Sequence, residues 1–403
     1  MKNSKRPILI VIGNDKNGGI AKHAAMLANG FSDNNKDVCI IVTKEKNEQS
    51  FFDLKENVSV VSTKNENTNT RSNKATERKI AFRIKLLKTV SCFMPKRSNI
   101  RRFFAFSVSK LRNSLSLKET LQRFSNPIII TLGLEYAIEI FYAATGMKCD
   151  ILYASKTYAE GELGELDKGI ASILLKSFSC IVSQTDYTSD YFKKLGADNV
   201  RVIGNPLALS TPVYNGERSN RIVNFCRISR EKRLDLLIKA FSVFRNEFSD
   251  YCIDIYGNIV SQEGEDHLTE LLNLIDELGL TDCVKINNAR KDIHEVVKDA
   301  TMFISTSDFE GLSNTMIEAM ALGLPCICTD CDGGGAREYI EDGINGLLIP
   351  KDNESALIEA MKKFANDRDF AEKCGKNAAA VREKLEINNI ISQWQNVIDE
   401  YCS

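Results

Sequence analysis

Two carboxylates, Glu310 and Glu318, stand eight positions apart in the run FEGLSNTMIEAMALGLPCICTDCDGGGAREYIEDGINGLLIP, residues 309–350. Glu310 follows ATMFIST, an apolar run suited to a buried strand. Gly311 and Leu312 then lead into a helix whose first turn holds Ser313, Asn314 and Thr315. A helix start offers backbone N–H groups without intrahelical partners and the positive end of the helix dipole. A phosphate docked there is stabilised without any lysine. Each glutamate also has a plainer reading. Thr315-x-x-Glu318 has the form of a capping box, and Glu310 could be a solvated loop carboxylate. Neither accounts for the rest of the run, whose polar residues gather at turns after strands, where open α/β sheets bind ligands.

The elements that must position this run repeat along the chain. Strands are expected at 8–13, 37–43, 58–62, 127–132, 150–154, 180–184 and 200–203, with a helix over 19–32 after the first. Alternation of strand and helix implies a mostly parallel, Rossmann-like sheet. Asn205-Pro206 opens a polar link, STPVYNGERSN, and the pattern restarts. Strands at 222–226, 252–256, 284–287, 302–305, 325–329 and 346–349, with a helix over 233–244, form a second such unit, and helices run from 354 to 401. The expected division is 1–205, 206–385 and a terminal helix over 386–403.

Composition narrows the class. With 403 residues, 43% hydrophobic and 27% charged, the chain reads as an ordinary soluble globular protein of two α/β domains. A net charge of −1 gives no global argument for binding nucleic acid. Twelve cysteines are scattered, and Cys39, Cys149, Cys180, Cys226 and Cys326 fall in apolar strand-like runs, as buried reduced thiols of a cytosolic protein do. The opening MKNSKRPILIVIGNDKNGG reads as a first strand rather than a signal peptide, and no run reaches the ~18 apolar residues of a membrane span. The expected location is cytoplasmic, with any membrane contact peripheral on the inner face of the cell membrane.

The forty-residue run as a whole, EGLSNTMIEAMALGLP, then TDCDGGGAREYI, then GINGLLIP, resembles the retaining GT-B glycosyltransferases of family 4, the glycosyl transferases group 1. That resemblance implies an α/β GT-B architecture: two Rossmann-like domains facing across a cleft, with the last helix, carrying Trp394, crossing back to the first domain. It implies a nucleotide-sugar-dependent hexosyltransferase. Glu318 would accept hydrogen bonds from the ribose hydroxyls and Glu310 would face the donor sugar. The backbone of Gly311, Leu312, Ser313 and Asn314 would hold the distal phosphate. Arg227 and Lys232, in FCRISREKRLDLLIKAF, match the family's Arg and Glu-Lys, and would stabilise charge on the leaving diphosphate. Here Cys226 and Arg233 stand where the family usually has glycines. Gly18 and Gly19 resemble the first domain's glycine loop, and also suit a tight strand-to-helix turn. Gly257 matches the family's Gly-x-Gly near the base only in part, and Arg290 falls where relatives contact the base. The resemblance implies no metal and no further cofactor. UDP is preferred by family frequency, and retention would proceed on one face without a carboxylate pair for double displacement.

Between Lys64 and Arg123 sixteen Lys or Arg face three Glu, so this stretch carries +13 and the remainder −14. Bulky apolar residues interleave the basic ones around 78–112, which favours an anionic membrane surface or a lipid acceptor over nucleic acid, for which no recognition motif is present. A solvated insertion is the alternative, and 64–77 has that composition. Cys326-x-Cys328-x-x-Cys331 suggests zinc but lacks a fourth ligand at suitable spacing. Of the three histidines, His23 follows the glycine loop and could border the cleft, though a plain surface residue is the better reading, while Glu160 or Glu162 is a candidate for the acceptor side. The combined expectation is sugar transfer from a nucleotide sugar to a lipid-linked or polysaccharide acceptor in surface glycan synthesis. A soluble transferase on a small acceptor and a non-catalytic nucleotide-sugar-binding subunit are the alternatives.

Overall fold

The computed structural model describes residues 6–13, 19–43, 53–63, 114–156, 158–164, 168–259 and 261–402. The chain divides into two compact units: Met1–Pro206 with Ile387–Ser403, and Leu207–Glu386. The division at Pro206 and Glu386 lies one residue from that expected on each side. Gly18 and the basic stretch through residue 113 lie outside the described residues.

In the first unit the strands are β1 Ile8–Ile12, β2 Val38–Val42, β3 Val58–Ser62, β4 Ile128–Leu132, β5 Asp150–Ala154, β6 Cys180–Ser183 and β7 Val200–Val202. Helices α1 Gly19–Asp33, α2 Ser114–Leu121, α3 Leu134–Ala143, α4 Ala159–Gly164, α5 Lys168–Lys176 and α6 Asp186–Lys194 connect them. The sheet runs β3-β2-β1-β4-β5-β6-β7, and every pairing is parallel. ILIVI in β1 and VCIIV in β2 are buried at every position. Such unbroken apolar strands are what a parallel sheet covered on both faces requires.

The second unit holds β8 Ser219–Phe225, α7 Leu234–Phe244, β9 Cys252–Gly257, α8 Gln262–Glu277, β10 Val284–Asn288, α9 Ile293–Val297 and β11 Ala300–Ser305. It continues through α10 Asn314–Ala321, β12 Cys326–Asp330, α11 Gly335–Tyr339, β13 Leu347–Pro350, α12 Glu354–Asn366, α13 Arg368–Ala378 and α14 Val381–Lys384. Its all-parallel sheet has the order β10-β9-β8-β11-β12-β13. From β8 the chain winds outward one way through β9 and β10, then returns to place β11 on the other flank. The ends of β8 and β11 therefore border the crevice at the point where strand order reverses.

The polar link before β8 is more than a connector. The Arg218 side chain is 8% exposed there, with its guanidinium on Glu372 at 2.7 Å and on the carbonyls of Lys298, Ala300 and Gly323 at 3.1, 3.0 and 2.7 Å. A buried arginine satisfied this fully ties the strand entry to helix α13.

The last helix, α15 Ile387–Asp399, belongs to the first unit and packs on α1. A Cβ at Gly30 would overlap Ile391, so the two helices meet at a glycine. Trp394 is fully buried, and Ile390, Ile391, Val397 and Ile398 line the same face. Lys36 pairs with Asp399 at 2.8 Å, and Arg6 reaches Asp150 at 2.7 Å and the Tyr401 carbonyl. Truncating a buried tryptophan of this kind costs about 3–5 kcal/mol. Trp394→Ala should therefore lower stability by that amount in urea denaturation. A loss below about 0.5 kcal/mol, the range of surface substitutions, would show that α15 is not part of the core.

Candidate functional site

The site forms where three βα turns of the second sheet are stitched together. After β8, residues 226–233 make a tight connection through a 3-10 turn, Arg230–Lys232, into α7. The β11–α10 loop lies against it. Asp308 donates its N–H to the Glu231 carbonyl at 2.8 Å, and the Thr306 hydroxyl lies 2.9 Å from the carbonyls of both Lys232 and Arg233. From the third side, the Glu310 N–H donates to the Asp332 carbonyl at 2.9 Å and the Thr329 hydroxyl to the Ser307 carbonyl at 2.6 Å. These bonds fix the backbones of Lys232 and Glu310, whose side chains close an ion pair. Lys232 is 8% exposed, so its ammonium is largely withdrawn from water and depends on Glu310 for compensation.

The thiols beside the pair are neutral. Burial pushes the Cys226 and Cys331 thiols, which neighbour the pair, up to about 12 each. Burial also raises Cys328 well above the ordinary range. Cys326 and Cys328 are core residues of β12, and among the described residues no three His, Cys, Asp or Glu gather as a metal site.

Glycines 333–335 explain why the run extends so far past Glu310. Gly333 and Gly334 take φ of 96° and 71°, which favour glycine. A Cβ at Gly333 would overlap the Glu310 carbonyl, and one at Gly335 the Gly311 carbonyl. The glycine turn thus lets the backbone under β12 seat directly against the Glu310–Gly311 peptide.

Arg233 stands where a glycine would be easiest: its φ is 48°. Its guanidinium reaches Asp235 at 3.1 Å, Asp308 at 3.2 Å and Asp352 at 2.9 Å. Hydrogen bonding to Asp235, against the effect of burial, holds it above the ordinary arginine range. These ion pairs offset a left-handed conformation that costs a non-glycine residue roughly 1–2 kcal/mol.

Arg227 is exposed and pairs with Glu231 at 3.2 Å. Burial works against the Glu231 charge, but the Ser229 hydroxyl at 2.7 Å, its own N–H, Arg227 and Lys232 bring its carboxyl below the usual range. Helix α10 begins at a serine cap: the Ser313 hydroxyl accepts from the Met316 N–H at 3.4 Å. The capping-box reading of Glu318 fails, because Thr315 lies inside the helix rather than at its cap. Glu318 instead meets His294 of α9, whose Nε2 is 3.1 Å from its Oε2. Leu312 and Ser313 are buried and Asn314 is exposed at the helix start.

The remaining candidates fall on other elements. Gly257, closing β9, is required by close approach, since a Cβ there would overlap the Cys226 carbonyl. Arg290 follows β10, two strands from β8, and forms an exposed pair with Asp292 at 2.8 Å. Gly19 opens α1 in the first unit. Glu160 on α4 accepts the Tyr158 hydroxyl at 2.7 Å and the Tyr187 hydroxyl at 3.2 Å, and the Glu162 side chain lies outside the described residues. His23 is not a surface residue; it is 5% exposed. Sequence reasoning missed Arg233, Asp308 and His294. The glycine replaced at position 233 was the one available signal.

One comparison with known proteins falls on the same half of the chain. Residues 213–381 match the family model described as Glycosyl transferases group 1. An uncharacterized glycosyltransferase of Haemophilus influenzae is 25% identical over 207 residues, 51% of this chain and 57% of the relative. The N-acetylgalactosamine-N,N'-diacetylbacillosaminyl-diphospho-undecaprenol 4-alpha-N-acetylgalactosaminyltransferase of Campylobacter jejuni is 32% identical over 163 residues, 40% of this chain and 42% of the relative. The chain thus spans 57% and 42% of the lengths of these relatives. Anabaena HepE, solved with UDP and glucose, superposes with a TM-score of 0.74 at 16% identity, covering 98% of this chain and 100% of that one. The chain shares the α/β fold of that structure, with two parallel Rossmann-like sheets.

Gly335→Ala tests the stitching. Helix propensity alone would favour alanine in α11 by about 1 kcal/mol. Overlap with the Gly311 carbonyl should instead cost about 1–3 kcal/mol in urea denaturation. Stabilisation by this substitution would show that the glycine turn does not hold the Glu310 loop.

Proposed function

We propose that this chain is a glycosyltransferase, moving a sugar from a nucleotide diphosphate sugar to a hydroxyl of a lipid-linked or polysaccharide acceptor, with UDP as nucleotide and with retention at the anomeric carbon. The observation that carries this reading is the Lys232–Glu310 pair, seated where the order of the second sheet reverses. Loss of a nucleoside diphosphate builds negative charge on its oxygens. Fixed cations and helix-start amides stabilise that charge most when they are already in place. Lys232 is held in place by Glu310 and by the hydrogen bonds of its loop, and the start of α10 follows Glu310 by four residues. Arg227, exposed beside them, supplies a second cation that can reach phosphate oxygens in pairs. Glu318, steadied by His294, takes the ribose hydroxyls, and Glu310 faces the transferred sugar.

The group 1 match over 213–381 spans all of these residues, which supports the reading. The Campylobacter relative carries a diphospho-undecaprenol acceptor in its name, which favours a lipid-linked acceptor here. No helix among the described residues is long and apolar enough to cross a membrane. The basic apolar stretch at 78–112 is the part we assign to an anionic membrane surface.

Glu310→Ala should abolish measurable sugar transfer, and Lys232→Met should lower kcat on the order of 100–1,000-fold. Turnover unchanged in either variant would remove the site assignment. A panel of UDP-, GDP- and ADP-sugars in thermal denaturation identifies the base, since the bound nucleotide raises Tm. Because protein cations carry the diphosphate charge in this account, transfer should persist after treatment with a metal chelator. Complete loss, restored by a divalent cation, would contradict that part.

A further inference from the structure

A second polar cluster, of residues given no role above, sits in the first unit. Lys156 follows β5, Gln184 follows β6 and Asn205 follows β7, so three adjacent parallel strands deliver them to one sheet edge. Helix α1 adds His23. The Lys156 Nζ lies 3.3 Å from His23 Nε2 and 3.2 Å from Asn205 Oδ1, which also accepts from Gln184 Nε2 at 2.6 Å. His23, Gln184 and Asn205 are buried, and Lys156 is partly buried among them.

Two features of this cluster are incomplete. Both partners of the lysine are neutral groups, and no carboxylate of the described residues pairs with it. The nearby acid, Glu160, is taken by the hydroxyls of Tyr158 and Tyr187. Buried amines are ordinarily paired. Burial lowers the Lys156 ammonium to about 7, and burial, with Lys156 beside it, keeps His23 well below its ordinary range. The second feature is Gln184 Oε1, a buried acceptor with no donor. Buried acceptors of this kind are rarely left unsatisfied.

We infer that this cluster is a binding site for a glycosyl phosphate, with the phosphoryl oxygens on Lys156 and a sugar hydroxyl donating to Gln184 Oε1. An anion supplies the charge that the lysine lacks, and a hydroxyl supplies the donor that the glutamine lacks. Under the reading proposed above, on which this inference rests, the ligand is the phosphorylated end of the acceptor. Either a free sugar phosphate or a prenyl diphosphate-linked sugar presents these groups.

Binding of a phosphate raises the Lys156 pKa, so at pH 8 the largely neutral amine takes up about one proton. His23 stays neutral and contributes none. Calorimetry of the full chain at pH 8, in buffers of different ionisation enthalpy, reads this uptake directly. Glucose 1-phosphate and a detergent-dispersed prenyl diphosphate saccharide are the two probes, and binding of one but not the other identifies the source. Binding with proton uptake by the wild type, and at least tenfold weaker binding by Lys156→Met, is the expected result. Binding without uptake, undiminished binding by Lys156→Met, or binding of neither probe would overturn the inference. UDP binding measured alongside separates this outcome from failure of the donor-site reading, because UDP affinity depends on the second unit and should be unchanged in Lys156→Met.

Discussion

The second unit depends on one charge pair placed where a parallel sheet leaves room for it. Strand order brings the ends of β8 and β11 side by side, and Lys232 and Glu310 lie just beyond those ends. A lysine this withdrawn from water is costly unless a carboxylate faces it. The neighbouring turns hold that carboxylate in position. Thr306 and Asp308 bond across to the lysine turn, Asp332 holds the Glu310 amide, and the glycine turn packs beneath it. Burial keeps the thiols of Cys226 and Cys331 beside the pair neutral. A site built this way is preorganised, because its groups are oriented by backbone bonds rather than by the ligand.

Arg233 shows how the same turn tolerates an awkward residue. Its left-handed backbone calls for glycine, yet the side chain gathers Asp235, Asp308 and Asp352. Those carboxylates come from three different segments, so the arginine binds the lysine turn to the β11 loop and to the turn after β13. Chain direction, local strain and long-range charge are coupled at one position, beside the pair on which the proposed chemistry rests.

Much of this was legible in the sequence. Runs such as ILIVI and VCIIV announce buried parallel strands without ambiguity, and the restart after Asn205-Pro206 marks the second unit to within a residue. Glu310 and Lys232 could be named because the runs that hold them, both in turns after strands, resemble those of the glycosyl transferases group 1. Their pairing could not be read, since seventy-eight positions separate them and only strand order brings them together. The His294–Glu318 contact was hidden for the same reason. Thr315-x-x-Glu318 misled because it has the spacing of a cap, whereas Ser313 two positions earlier takes that place. Arg218 sat in a stretch whose composition reads as a link, and only the carbonyls it meets reveal its part in the core. The lysine cluster of the first unit joins four separated segments, and no local pattern marks it.

The central claim is that the β8–β11 crevice of the second unit receives a nucleoside diphosphate sugar. A crystal structure of the chain grown with UDP-sugar tests it most directly. The account predicts the diphosphate at the carboxyl ends of β8 and β11, with an oxygen within hydrogen-bonding distance of the Lys232 ammonium and the ribose on Glu318. A nucleotide bound elsewhere on the chain, with the Lys232–Glu310 pair untouched, would contradict it.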